Sequence, residues 1–248
     1  EAAVSFYKQQ GYPALSVREY LLTLANSNFE DWRRANPNSP QSDFPFSVKK
    51  MSSSGALFDL SKLDDVSKNV ISKMTARQVC CEATKWAKDY DKQLYNLLYA
   101  NPEYATAVFS IDRDCPKPRK DIAKWSQIRE YAEYFYDEIY KPTGTLPDNI
   151  KPQDAKKMLE KYLTVYNKED EKDQWFCKIK AICEPLGFSP DVRKYKENPC
   201  SYKGHAGDVS TVIRLAVTSR MNTPDLCLIM KLLGRQRIEK RIHDYLEA

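Results

Sequence analysis

Two histidines and seven glycines are all that this 248-residue chain holds of the residue types on which many enzyme sites are built. The glycines stand at positions 11, 55, 144, 187, 204, 207 and 234, and no spacing among them makes Gly-x-Gly-x-x-Gly or Gly-x4-Gly-Lys-Ser/Thr. A nucleotide fold that cradles phosphates in a glycine loop is thereby unsupported. Neither His205 nor His243 has a second ligand at metal-binding spacing, so no metal site is expected. A serine or cysteine nucleophile needs a base within hydrogen-bond reach, and two late histidines offer little choice, so no catalytic residue is expected. No stretch approaches the roughly 18 uninterrupted apolar residues of a membrane span, which predicts a soluble chain with no membrane partner. The seven cysteines include no Cys-x-x-Cys and stand mostly among apolar neighbours, as at Trp175-Phe176-Cys177 and Ile182-Cys183. That pattern predicts small buried hydrophobes in a reducing, cytoplasmic compartment rather than disulfides or zinc ligands.

Hydrophobic residues make up 42% and charged residues 29%, an ordinary globular balance, and the length predicts one to two domains. The formal charge of +5 is compatible with a polyanionic partner without demanding one. The chain begins at Glu1 without a charged-then-apolar leader, which suggests a piece of a longer cytosolic protein.

Helical signals dominate. Ser16-Val17-Arg18-Glu19 has the form of a capping box ahead of Leu21, Leu22 and Leu24, and Thr75-Ala76-Arg77-Gln78 repeats that form ahead of Val79, Ala83 and Trp86. Between them, residues 35–46 carry Pro37, Pro40 and Pro45 among Asn and Ser and predict an exposed loop. Trp125, Ile128, Ala132, Phe135 and Ile139 repeat at helical steps, and Pro152 opens a further helix through Ala155, Met158, Leu159 and Tyr162. Gly187 and Gly234 mark helix ends. Thr223-Pro224 predicts a helix start, and the last helix turns Ile238, Ile242 and Leu246 inward and Arg235, Arg237, Lys240 and Arg241 mostly outward. Sustained alternation of apolar and polar residues is missing, so the predicted fold is mainly α: a helical array preceded by a smaller module, with boundaries at 1–74 and 75–248 and a further break near 145–150.

Several segments have chemical interest. Lys50-Met51-Ser52-Ser53-Ser54 resembles the ATP-phosphate loop of class I aminoacyl-tRNA synthetases, yet only 49 residues precede it and the first histidine is His205. A catalytic role is therefore rejected, while the serines remain suitable donors to a sugar-phosphate backbone. Lys117, Arg119 and Lys120 sit in a proline-stiffened turn suited to phosphates or a splayed base, or simply to solvent. Arg214 follows Val212-Ile213 in an apolar run, where a guanidinium must point to an edge or pair internally. Thr223-Pro224-Asp225-Leu226 presents a helix N-terminus, which either attracts an anion or serves as a plain cap.

The string Val212-Ile213-Arg214-Leu215-Ala216-Val217-Thr218-Ser219-Arg220, then Thr223-Pro224-Asp225-Leu226 and Leu232-Leu233-Gly234-Arg235-Gln236-Arg237-Ile238, resembles the closing segment of bacterial glutamyl-tRNA synthetases. Ala2 through Tyr7 with Gly11-Tyr12-Pro13, and Ser52 through Asp59 with Lys62-Leu63, resemble earlier segments of the same family. The resemblance implies a stem-contact module followed by α-helical anticodon-binding domains, from a glutamate–tRNA ligase whose catalytic domain, with ATP and Mg²⁺, is not in this stretch. The stretch by itself is then inactive, has no cofactor, and is a monomer that binds glutamate-accepting tRNA and no DNA. By the same resemblance Ser52 and Lys62 touch the D-arm backbone, and Arg119, Arg214, Thr223, Pro224 and Leu226 contact the anticodon. The chain departs from the common pattern at 35–46 and at Ser219, where many relatives have Gly. Two other readings compete: a DNA-binding helix-turn-helix formed by 223–233 and 235–246, and a protein-interaction scaffold.

Overall fold

The computed structural model describes residues 3–51 and 57–247. Among them the chain forms fourteen α-helices and five short 3₁₀ turns, with a single isolated β-bridge between Ser189 and His205. It divides into two compact units, residues Glu1–Tyr131 and Ala132–Ala248. The expected boundary between residues 74 and 75 falls inside the first unit, and the packing breaks earlier than the expected 145–150.

The first unit holds α1 (Val4–Gln10), α2 (Ala14–Ala25), α3 (Phe29–Ala35), α4 (Leu60–Ser72), α5 (Ala76–Tyr90), α6 (Lys92–Ala100) and α7 (Pro102–Ser110). Helices α2 and α4 pack together, and α5 packs on both α6 and α7. The Thr75–Gln78 capping box forms as the sequence predicts. The one at Ser16 does not. Helix α2 already begins at Ala14, after Pro13, so Ser16 lies one turn inside and is fully buried. Its hydroxyl lies 3.0 Å from that of Ser67, which donates to the Ala123 carbonyl and so accepts from Ser16, while Glu19 pairs with Arg33 at 2.6 Å. Tertiary partners outbid local capping, and the inward face of α2 runs through Tyr20 while Leu21 is exposed.

Residues 36–46 form the expected loop, but its far end is tacked down. Phe44 is buried edge-on against Phe29, 4.9 Å between ring centres, and beside Trp32. Arg33 stacks over Trp32 and donates to the carbonyls of Asn36 and Ser39.

Helix α8 (Ile128–Ala132) leads out of the first unit. The predicted helix through Trp125 and Ile139 is broken here into 3₁₀ turns at Trp125–Gln127 and Glu133–Phe135 flanking α8. All five predicted inward residues are nonetheless buried, because the periodicity reports burial and not the hydrogen-bond register.

The second unit holds α9 (Pro152–Val165), α10 (Lys172–Leu186), α11 (Val192–Glu197), α12 (Ala206–Thr218), α13 (Leu226–Leu233) and α14 (Arg235–Glu247). Helix α12, almost wholly apolar on its inward face, is the centre on which α9, α10 and α14 pack. Gly187 ends α10 in the left-handed conformation, φ 79°, as predicted. A capping box at His205 and Asp208, not foreseen from sequence, starts α12. Arg241 is a clear correction: it is 5% exposed, not outward, and its guanidinium donates to the Tyr134 and Val217 carbonyls and to Asp137.

The cysteines also depart from expectation. Cys80, Cys183 and Cys227 are buried, but Cys81, Cys115, Cys177 and Cys200 are exposed, and all seven are free thiols. Burial pushes the Cys183 thiol up to about 11. Iodoacetamide near pH 8 is therefore expected to alkylate the four exposed thiols in the native protein and the buried three only after denaturant, read by peptide mass spectrometry. Rapid native labelling of Cys183 would contradict this packing.

Candidate nucleic-acid interface

In the second unit the suspected residues converge on the loop between α12 and α13. Helix α12 ends at Ser219, whose φ of 56° is left-handed, so serine here occupies the conformation for which glycine is the usual choice. The strain is held in place by a 2.9 Å hydrogen bond between the Ser219 and Tyr140 hydroxyls. Arg214, half-buried on α12, reaches 3.3 Å from Nη1 to the Met221 carbonyl across the loop. Arg220 pairs with Glu133 at 2.6 Å.

Thr223, Pro224 and Leu226 lie beside this loop, but they are buried rather than presented. The predicted helix start is also displaced. Asp225, not Thr223, caps α13, accepting from the Leu228 amide at 3.1 Å, and the Thr223 hydroxyl turns to the Pro224 carbonyl. With a carboxylate already on the N-terminal amides, and Lys172 paired to it at 2.5 Å, this helix end is not an open anion hole. The apolar tips that do face solvent are Met221, 51% exposed, and Leu228, 42% exposed. Helical spacing already carried the signal for Leu228: Leu226, Ile229, Met230 and Leu233 define the inward face and leave it outside.

In the first unit Arg119 and Lys62 are separate sites. Arg119 closes the 111–121 turn through its amide to the Asp112 carbonyl, and its Nε and Nη2 hold both oxygens of Asp121 at 2.6 and 3.0 Å. The fork fixes the guanidinium plane and raises its pKa through that hydrogen-bonded carboxylate. Neighbouring Arg113 is structural: it donates to the carbonyls of Phe109, Ile71 and Met74. Lys62, in the first turn of α4, pairs with Glu30 at 2.6 Å with both side chains near half exposed. Arg119 shares a crevice with Ile71 and Ser72, so about nine residues of α4, roughly 14 Å of helix rise, lie between the two contact points. Ser52 lies outside the described residues.

Against this geometry the kinship of the chain becomes informative. Residues 202–246, which span α12 to α14, match the family described as an anticodon binding domain. The glutamate–tRNA ligase of Acetivibrio thermocellus is 47% identical over 242 residues, 98% of this chain. This chain is a relative of the glutamate–tRNA ligases. That of Clostridium perfringens is 46% identical over 98% of the chain, and that of Sorangium cellulosum 40% over 99%. The chain spans 44% and 45% of the first two ligases, less than half of each. A solved glutamate tRNA ligase from Elizabethkingia meningosepticum, in complex with its amino acid, has the same fold over 98% of this chain and 42% of its own, with a TM-score of 0.57 at 14% identity. The helical architecture expected from the sequence is thus that of the matched 42% of the solved ligase.

The DNA-binding alternative finds no support. The three arginines of α14 are engaged within the chain, Arg235 on Glu239, Arg237 on Asp137 and Arg241 in the core, which leaves Lys240 as its exposed unpaired cation among the described residues. A recognition helix would present those arginines to a groove. Among the described residues no helix is long and apolar enough to cross a membrane.

Proposed function

We propose that this chain is the tRNA-recognising portion of a cytoplasmic glutamate–tRNA ligase, acting as a monomer and holding glutamate-accepting tRNA. The attachment of glutamate with ATP and Mg²⁺ belongs to a class I catalytic domain outside this stretch. The observation that carries this reading is the 47% identity to a glutamate–tRNA ligase over 98% of this chain, together with the anticodon-binding match over α12–α14. In the second unit Arg214 reads an anticodon base, and Thr223, Pro224 and Leu226 form the buried floor that positions the loop beneath it. Met221 and Leu228 supply the apolar surface on which an unstacked base rests. In the first module, residues 1–74, Lys62 and Ser52 contact the backbone of the D-arm; beyond it, in the region from residue 75 onward, Arg119, held by Asp121, reads the third anticodon base.

Base-reading and phosphate contacts leave different signatures. Arg119→Ala is expected to lose about 1–3 kcal/mol of discrimination at one anticodon position. Lys62→Ala is expected to weaken every tRNA alike and reduce the salt slope by about one phosphate contact. Filter binding of glutamate tRNA and an anticodon-mutated copy, across a salt series, measures both. Equal loss for matched and mismatched anticodons in the Arg119 variant refutes its assignment, and capture of duplex DNA in preference to tRNA refutes the function.

A further inference from the structure

An apolar cavity of the second unit has no role in that reading. It encloses about 800 Å³ between segment 140–146, the first turn of α9, the end of α12 and the last turns of α14. The sequence explains why it is open. Ala155 on α9 and Ala216 on α12 face it with single methyl groups where larger side chains would fill it. The 140–146 segment is pinned to the scaffold rather than collapsed into the space: a Cβ on Gly144 would come within 3.0 Å of the Ser219 Cα, and Tyr140 is stacked 3.8 Å from the buried Arg241 guanidinium.

The interior and the mouth differ in chemistry. Tyr140, Leu146, Ala155, Ala216 and Tyr245 make the interior apolar. Four cations and two carboxylates line the cavity, so its charge is positive. Asp137 is engaged by Arg237 and Arg241. Lys156, Lys240 and Asp244 are exposed and make no ion pair among the described residues, although Lys240 and Asp244 share one face of α14. An apolar interior of several hundred Å³ with a few uncommitted polar groups at its edge is the general form of a small-ligand site. Unpaired lysines suit a phosphate, an apolar floor suits a planar ring, and a lone carboxylate accepts from an amino group.

We propose that this cavity binds a nucleotide unit, the base against the Ala155–Ala216 floor, the phosphate at Lys156 and Lys240, and an exocyclic amino group donating to Asp244. The proposed function bears on it only through the source of the nucleotide, which is either a base extruded from the bound RNA or a free mononucleotide.

The test uses the full chain, with Thr145→Trp and Gln153→Trp to plug the mouth from exposed positions, a Lys156→Gln/Lys240→Gln pair, and Asp244→Asn. CMP, AMP and UMP are titrated by amide NMR, tRNA by filter binding, and retained helicity is checked by circular dichroism. The tryptophan variants are expected to weaken mononucleotide binding at least tenfold. The double lysine variant should weaken it severalfold and flatten its salt dependence. Asp244→Asn should weaken CMP and AMP but not UMP, which lacks the amino group. A parallel loss of tRNA affinity identifies the RNA strand as the source, whereas unchanged tRNA affinity identifies free nucleotide, and either outcome supports the site. Nucleotide binding that persists when tRNA binding by the parent protein is undetectable supports the site and removes the proposed function instead. Absence of mononucleotide binding with no effect of the plugs on tRNA, or nucleotide binding indifferent to all the variants, overturns the proposal.

Discussion

Replacing Arg241 by alanine is expected to cost the second unit about 3–5 kcal/mol, more than any surface change in the chain. The side chain is 5% exposed, and its guanidinium donates to two main-chain carbonyls, Tyr134 and Val217, at 2.7 and 2.8 Å. It also pairs with Asp137 at 2.7 Å and lies 3.8 Å from the centre of the Tyr140 ring. Truncation leaves two carbonyls without donors in a place water reaches poorly, and it removes the stack that holds the 140–146 segment. Lysine should rescue little, because a compact ammonium has no planar fork with which to reach the two carbonyls and Asp137 from separate nitrogens while stacking on the Tyr140 ring. Asp137→Asn should cost far less, since Asp137 is 56% exposed and is the screened partner of the set. Urea unfolding of the three variants, followed by circular dichroism, measures this order. Equal losses for Arg241→Ala and Asp137→Asn would show that the ion pair, and not the buried carbonyls, is what matters.

Gly11→Ala is the second large effect, confined to the first unit. Gly11 closes α1 at φ 82°, a conformation that costs an L side chain about 1–2 kcal/mol. A Cβ there would also lie 2.7 Å from the Trp125 Cβ, 2.8 Å from its main-chain nitrogen and 2.9 Å from the Trp86 indole nitrogen. The Gly11 carbonyl accepts from the Trp125 amide at 2.9 Å, and the Trp86 indole donates to the Gln9 carbonyl at 3.0 Å, so relieving the clash breaks both bonds. Together these give about 3 kcal/mol or more. Gly11→Asn separates the two causes, because asparagine tolerates the dihedral yet carries the same Cβ. Thermal melts in which Asn restores wild-type stability would assign the cost to backbone conformation alone and contradict the contact with Trp125.

The helices of this chain were legible wherever a local device was strong enough to survive packing. Thr75 with Gln78, Pro152 at a first helical position, Gly187 and Gly234 all act as the sequence predicts, because each satisfies or terminates main-chain bonds within its own turn. The failures share a cause. Ser16 and Glu19 have capping chemistry, but Ser67 and Arg33 offer them better partners from remote segments. Arg241 follows a pattern that reads as a solvated face, yet the 134–137 segment and α12 present carbonyls that only a buried donor can satisfy. Of the suspected contact residues, those at 214 and 223–226 come together beside one loop, between α12 and α13. Which side chains face outward was settled by the start of α13 at Leu226, which buries Leu226 and exposes Leu228.

By itself the sequence determined the helical class, the ends of the strongest helices and the kinship with the glutamate–tRNA ligases, since periodicity, caps and motif strings are local properties of the chain. Only the tertiary structure decided which cations face solvent and which serve the interior, where the compact units part, and that a cavity lies between α9, α12 and α14. Those outcomes depend on partners distant in the chain. The free energy of a charge or a small side chain is set by what packs against it, and no local pattern records that neighbour.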